Sequence, residues 1–116
     1  MISASAPNAI KLPSISDPVA IDFITYLEGY GNYTRVYQQA KSTPLVISQT
    51  LKWFEDQLPA FIRTHKSMMV NPSYVANISQ GDDARTIRLK LVDGSWISVS
   101  RRRADLVRGK LTTLRR

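Results

Sequence analysis

Hydrophobic and polar positions alternate most regularly over residues 85–92. There Ile87, Leu89 and Leu91 fall on one side, and Arg88 and Lys90 on the other. That period of two predicts a half-buried strand. Asp93-Gly94 then predicts a tight hairpin turn, with Trp96, Ile97 and Val99 on the returning strand. A similar pattern comes earlier. Ile21 to Glu28 is dense in β-formers, Gly29-Tyr30-Gly31-Asn32 has turn composition, and Tyr33 to Gln38 reads as a second strand. Residues 21–38 are therefore expected to form a hairpin with a four-residue loop. Lys41-Ser42-Thr43-Pro44 predicts another turn before a short Leu45-Val46-Ile47 strand. Residues 61–78 are expected to be short strands broken at Asn71-Pro72. Ala9 to Leu12 can add one more strand, after a flexible segment 1–8 that precedes a single domain over 9–116.

Two stretches change period from two to about 3.6. Leu51, Phe54 and Leu58 recur at helical spacing, with Trp53 able to widen the apolar stripe. Ser48 is placed to cap this helix and Pro59 to stop it. Ala104, Val107, Leu111 and Leu114 predict a final helix over about 101–114, capped by Ser100 and weakened by Gly109. Trp53, Phe54 and Trp96 are expected in the core, and Met68-Met69 in strand packing. Many short strands with two short helices predict a mainly β domain.

The chain has 116 residues. That is too short for a (β/α)₈ barrel, which takes about 250 residues, or for a doubly wound enzyme with a separate substrate domain. There is no cysteine, so a disulfide framework, a thiol nucleophile and a Cys-based zinc site are excluded. His65 is the only histidine, which removes paired-histidine chemistry. Its ring is expected to pack or hydrogen-bond so as to hold the adjacent Lys66 loop. Gly29-x-Gly31 begins like a dinucleotide fingerprint, but Thr34 holds the third-glycine position and no helix follows. Asp82-Asp83 reads as a solvated loop tip. No nucleophile–base pair, phosphate loop or metal cluster stands out, so no enzyme and no cofactor are expected. The first ten residues lack a positive region and a long apolar run, and no stretch approaches ~20 apolar residues. The expectation is a cytoplasmic protein with no membrane partner.

Charge adds direction. Of the formal net charge of +7, residues 101–116 carry most, with seven Lys/Arg against one Asp. A nearly neutral body with one basic end suits a polyanion. Arginine outnumbers lysine ten to six. Its planar fork fits phosphate and guanine edges, which favours nucleic acid over an anionic membrane.

Four blocks then occur in order: Ile24-Thr-Tyr-Leu-Glu-Gly-Tyr-Gly-Asn-Tyr-Thr34, Leu51-Lys-Trp-Phe-Glu-Asp-Gln-Leu-Pro59, Phe61-Ile-Arg-Thr-His-Lys-Ser-Met-Met-Val-Asn71 and Asp93-Gly-Ser-Trp-Ile-Ser-Val-Ser-Arg-Arg102. Together they resemble the LytTR family of bacterial DNA-binding domains over roughly residues 9–114. The resemblance implies an elongated all-β domain of several small sheets with two short helices. It also implies sequence-specific binding of duplex DNA by loops entering successive major grooves. By position, base contacts fall to Asn32, Thr34, Lys66 and Arg101. Phosphate contacts fall to Tyr33, Arg35, His65, Ser67, Ser100, Arg102 and Arg103. The side chains agree in part: Arg101 can fork onto guanine, and Lys66 can reach a guanine edge or a phosphate. Ser100 at a helix start would add backbone N–H groups aimed at an anion.

The implied setting is transcription regulation by a response regulator of a two-component system. The partners would be duplex DNA with repeated half-sites, a weak homodimer formed on DNA, and a receiver domain or kinase acting in trans. No receiver fits before residue 9, so the sequence is either trimmed from a longer regulator or a stand-alone DNA-binding protein. Two alternatives carry different expectations. A single-strand or RNA-binding β domain would use Tyr30 and Tyr33 as stacking platforms. A module that binds no nucleic acid would use a sheet edge or the basic tail.

Overall fold

The computed structural model describes residues 8–114. The expected flexible segment 1–8, apart from Asn8, lies outside them, as does the side chain of Leu114. Three antiparallel sheets form the framework of the described chain, and the molecule measures 46 × 35 × 25 Å, elongated as expected. A small sheet pairs β1 (Ala9–Ile10) with β2 (Val19–Ala20). The central sheet holds β3 (Ile24–Tyr30), β4 (Tyr33–Gln38), β5 (Leu45–Ile47), β6 (Ile62–His65) and β7 (Met68–Val70), in the order β5-β4-β3-β7-β6. The third sheet holds β8 (Val75–Gln80), β9 (Ile87–Leu91) and β10 (Trp96–Ser98), with β9 in the middle. Helix α1 (Leu51–Gln57) joins β5 to β6, and α2 (Ala104–Leu114) follows β10.

Alternation places apolar side chains on both faces of the central sheet, so each face is covered. On one face Ile24, Leu27, Val36, Ile47 and Met69 pack with Leu51, Phe54 and Leu58 of the α1 segment and with the β1–β2 layer. On the other, Ile62 and Val70 meet Ile87, Leu89, Leu91 and Ile97 of the third sheet, with Val107 and Leu111 of α2. Burial of these side chains, at about 25 cal/mol per Å² of apolar surface, is the main force holding the layers together. Asn71 is a buried polar post between them. Its amide nitrogen donates to the Ile24 carbonyl at 2.9 Å, and its side-chain oxygen accepts from Ser73 N at 3.0 Å.

Several expectations are refined. The hairpin begins at Ile24, because residues 21–23 form a 3-10 turn. Its loop has two residues, Gly31-Asn32, since Gly29 and Tyr30 pair with Thr34 and Tyr33. Gly31 has φ +65°, the left-handed region favoured by glycine at the first position of such a turn. A further turn at Lys66-Ser67 separates β6 from β7. Thr50, not Ser48, caps α1: its hydroxyl accepts from Trp53 N at 3.2 Å. Ser100 starts no capped helix. A 3-10 turn over Arg101–Arg103 comes first, and the Ser100 side chain makes no capping bond. Trp96 is not in the core: it is 45% exposed, with the Arg88 guanidinium 4.4 Å from its ring centroid. It belongs to the outward set of β10, and a cation over its face replaces apolar burial. Trp53 is half-buried and packs edge-on against Phe54.

Two stability predictions follow from the helices. A side chain added at Gly109 would meet no atom within 4 Å. Gly109→Ala should therefore raise unfolding free energy by about 0.5–1 kcal/mol. Thr50→Ala should lower it by about 1 kcal/mol through the lost cap. Chemical denaturation of each variant against the wild type checks both signs.

Candidate nucleic-acid interface

Strand direction brings the expected contact segments to one edge of the molecule. β3 and β4 are antiparallel, as are β3 and β7 and β7 and β6. The Gly31-Asn32 turn and the Lys66-Ser67 turn therefore lie at the same end of neighbouring strands, which are spaced about 4.8 Å apart. A backbone bond from Gly29 N to Ser67 O, 2.8 Å long, joins the two hairpins there. On its other side, Gly29 lets α1 pack close against β3. A Cβ at this position would lie 3.2 Å from Leu51 Cβ, closer than ordinary contact. On the far side, Ser100 N donates to Thr64 O at 2.8 Å, fastening the start of the Arg101–Arg103 turn beside β6. The edge thus runs from Asn32 through Ser67, Lys66 and His65 to Ser100 and Arg101.

Individual side chains take distinct positions on it. Asn32, Lys66, Arg101 and Arg102 are exposed, and Arg103 is half-buried. Thr34 departs from expectation. It is fully buried, and its hydroxyl donates to the Gln49 carbonyl at 2.8 Å, so it braces the hairpin rather than facing outward. Ser100 departs likewise: its amide is used by Thr64, and its Oγ is buried without a hydrogen-bond partner. Neither hydroxyl is offered to an anion at the surface. Tyr33 stacks on Tyr30 with centroids 5.6 Å apart, and the half-buried Arg35 covers the Tyr30 ring at 4.4 Å.

His65 holds the next turn, as its position suggested. Ser67 N donates to His65 Nδ1 at 3.2 Å, and Ser67 Oγ lies 3.1 Å from the same nitrogen. A backbone N–H can only donate, so Nδ1 is the accepting nitrogen, and in the neutral ring the proton resides on Nε2. The imidazole therefore presents a donor on its far side.

Sequence reasoning missed the residue that fixes this turn most firmly. Arg63 Nε donates to the His65 carbonyl at 2.9 Å, and Nη2 donates to the Lys66 carbonyl. Its Nη1 pairs with Glu55 of α1 at 2.9 Å. Only 16% of the Arg63 side chain is exposed, so this pair is shielded more than a surface ion pair. A guanidinium fork that grips two carbonyls and a carboxylate ties the Lys66 turn to α1. Beside it, a groove of about 420 Å³ is lined by Gly31, Lys52, Arg63, Lys66 and Ser67, among others.

Arg101 is also held. Its Nη1 lies 3.1 Å from Asp83 Oδ2 and 3.1 Å from the Thr86 hydroxyl, both in the loop between β8 and β9. The Arg85 backbone N–H, and next the Arg101 guanidinium, hold the Asp83 carboxyl below its usual range.

Comparison with known proteins decides the family. Residues 17–112 match the profile of the LytTr DNA-binding domain. The chain belongs to the LytTR family. Its fold superposes on the solved LytTr DNA-binding domain of a putative methyl-accepting/DNA response regulator from Bacillus cereus. The two are 28% identical, with a TM-score of 0.70 over 89% of this chain and 94% of that one. No curated protein matches the chain. LytTR domains are DNA-binding rather than enzymatic, and among the described residues no helix is long and apolar enough to cross a membrane.

In this LytTR domain the Lys66 turn is anchored by Arg63 and the Arg101 side chain by Asp83, and two predictions isolate those anchors. Arg63→Ala should cost about 1–3 kcal/mol, because two carbonyls and Glu55 lose their donor. It should also speed hydrogen exchange at the Ser67 amide; unchanged exchange would show that the turn holds without Arg63. For the second loop, Arg101→Ala should raise the Asp83 pKa only part of the way to its ordinary value, because the Arg85 N–H remains. NMR titration of the Asp83 carboxyl resolves the two contributions.

Proposed function

We propose that this LytTR domain binds duplex DNA in a sequence-specific manner through its loop edge and acts in bacterial transcription regulation. One observation carries the proposal: the bonds Gly29–Ser67 and Ser100–Thr64 align the exposed Asn32, Lys66 and Arg101 along a single cationic edge. In this reading Lys66 and Arg101 reach base edges in the major groove, with Asn32 third. Arg102 and Arg103 meet phosphate, joined by Arg35, Ser67, Tyr33 and the outward nitrogen of His65. Thr34 and Ser100 act from within, by holding the loops. Loops on a packed scaffold are a common means of presenting such contacts. Two copies occupy repeated half-sites, pairing weakly on DNA, and the domain serves a cytoplasmic two-component response regulator.

The exposed tyrosines do not favour the single-strand alternative. Tyr30 and Tyr33 stack on each other, and Arg35 covers Tyr30, so Tyr30 and one face of Tyr33 are already engaged. Selection from a random duplex library at near-physiological salt, with random single strands as competitor, tests the proposal. The expected result is a motif in two spaced half-sites. Arg101→Ala should then lower the ratio of selected to random duplex binding by about tenfold or more, in line with ~1–3 kcal/mol per bidentate base contact. Arg102→Ala should weaken both about equally and reduce the salt slope by roughly one. Preference for single strands, or binding without a motif, would overturn the assignment.

A further inference from the structure

We propose that Asp83 and Thr86 are positioning residues that set the base specificity of Arg101, by gripping one side of its guanidinium and leaving the other free to read a guanine. The inference rests on the duplex-reading role of Arg101 given above. All three hydrogen bonds from the Arg101 side chain use Nη1: to Asp83 Oδ1 at 3.4 Å, to Asp83 Oδ2 at 3.1 Å and to Thr86 Oγ1 at 3.1 Å. Among the described residues, Nε and Nη2 make none. Those two N–H groups form one edge of the planar fork, and two parallel donors are what guanine O6 and N7 accept. Arg101 can therefore keep its hold on the loop while it reads a base.

The grip is itself braced. Asp83 Oδ1 accepts from Arg85 N at 2.9 Å and lies 3.3 Å from the Thr86 hydroxyl. Arg108 reaches back from α2 to the Ala84 carbonyl at 2.8 Å, and Gly81 N donates to Thr86 O at 2.6 Å. The loop thus has anchors besides Asp83. A long arginine free at a cationic edge would sample many rotamers and settle on the nearest phosphate, a contact that carries no sequence information. Asp83 counters both tendencies. It restricts the rotamers, and its negative charge beside the guanidinium repels a fully charged phosphate more than an uncharged base edge. The Arg101–Asp83 pair is exposed on both sides, so by itself it adds little to folding. Its consequence lies in orientation.

The test is site selection with the wild-type domain and with Asp83→Ala, Thr86→Val, Thr86→Ser and Arg101→Ala, each first checked by thermal unfolding. Asp82→Asn serves as the charge control, because it removes a neighbouring negative charge that does not touch Arg101. Asp83→Ala should erase base preference at the motif positions that Arg101→Ala erases, and leave the other positions intact. The ratio of selected to random duplex binding should fall about fivefold or more. Thr86→Val should shift the same positions more weakly, and Thr86→Ser should retain them. In the Arg101→Ala background, Asp83→Ala should change nothing further. Loss spread evenly over the motif, or an effect equal to that of Asp82→Asn, would overturn the proposal in favour of a structural or bulk-charge role. If the folded wild-type domain selects no motif, the duplex-reading role falls, and this inference with it. A clean wild-type motif unaltered by Asp83→Ala would remove the inference alone.

Discussion

Two backbone hydrogen bonds, Gly29 N to Ser67 O and Ser100 N to Thr64 O, are the constraint on which the rest of the edge depends. Buried or crowded backbone amides must find partners, and at the ends of short strands the regular ladders no longer supply them. Here the Gly29 amide is satisfied by the Lys66-Ser67 turn and the Ser100 amide by Thr64 of β6. The result is that three segments far apart in the chain share one rigid margin. Gly29, with no Cβ to crowd Leu51, also lets α1 pack close against β3 at this end. The second sets the Arg101–Arg103 turn beside β6 and α2.

Upon that frame the charged side chains are arranged by a second level of contact. Arg63 binds the Lys66 turn to α1, and Asp83 with Thr86 binds Arg101 to the β8–β9 loop. A cationic surface alone gives salt-sensitive affinity without selectivity. Selectivity requires that a few donors be held in place, and in the proposed reading the carbonyl and carboxylate acceptors around Arg63 and Arg101 serve that end. The arginine-rich C-terminal segment is thus more than a solvated end. Part of it is pinned to the core through Ala104, Val107 and Leu111, which are fully buried.

The strand pattern was legible in the sequence wherever one face is buried, as with Ile87, Leu89 and Leu91, since period-two burial is a local property. The helix positions and the resemblance to LytTR domains were legible too. What escaped were features set by the path of the chain in three dimensions. Gly29 has turn composition, yet it sits within a strand because the Ser67 carbonyl and Leu51 meet it there. Ser48 and Thr50 are both credible caps, and the path of the β5–α1 connection chooses Thr50. Thr34 follows Tyr33 in the strand, so the pleat turns it inward. Trp96 occupies an outward position of β10, where Arg88 and Lys90 approach its ring. Arg63 looked like one more cation in a basic block until the fold placed two carbonyls and Glu55 around it.

Amide-resolved NMR titration with a selected duplex would test the central claim most directly, because it reports on every loop at once. The predicted result is that Asn32, Lys66 and Arg101 shift together at one protein-to-site ratio, while Arg88, Lys90 and Trp96 on the outer face of the third sheet stay still. Perturbation centred on that outer face, or confined to Tyr30 and Tyr33, would contradict a duplex-reading edge.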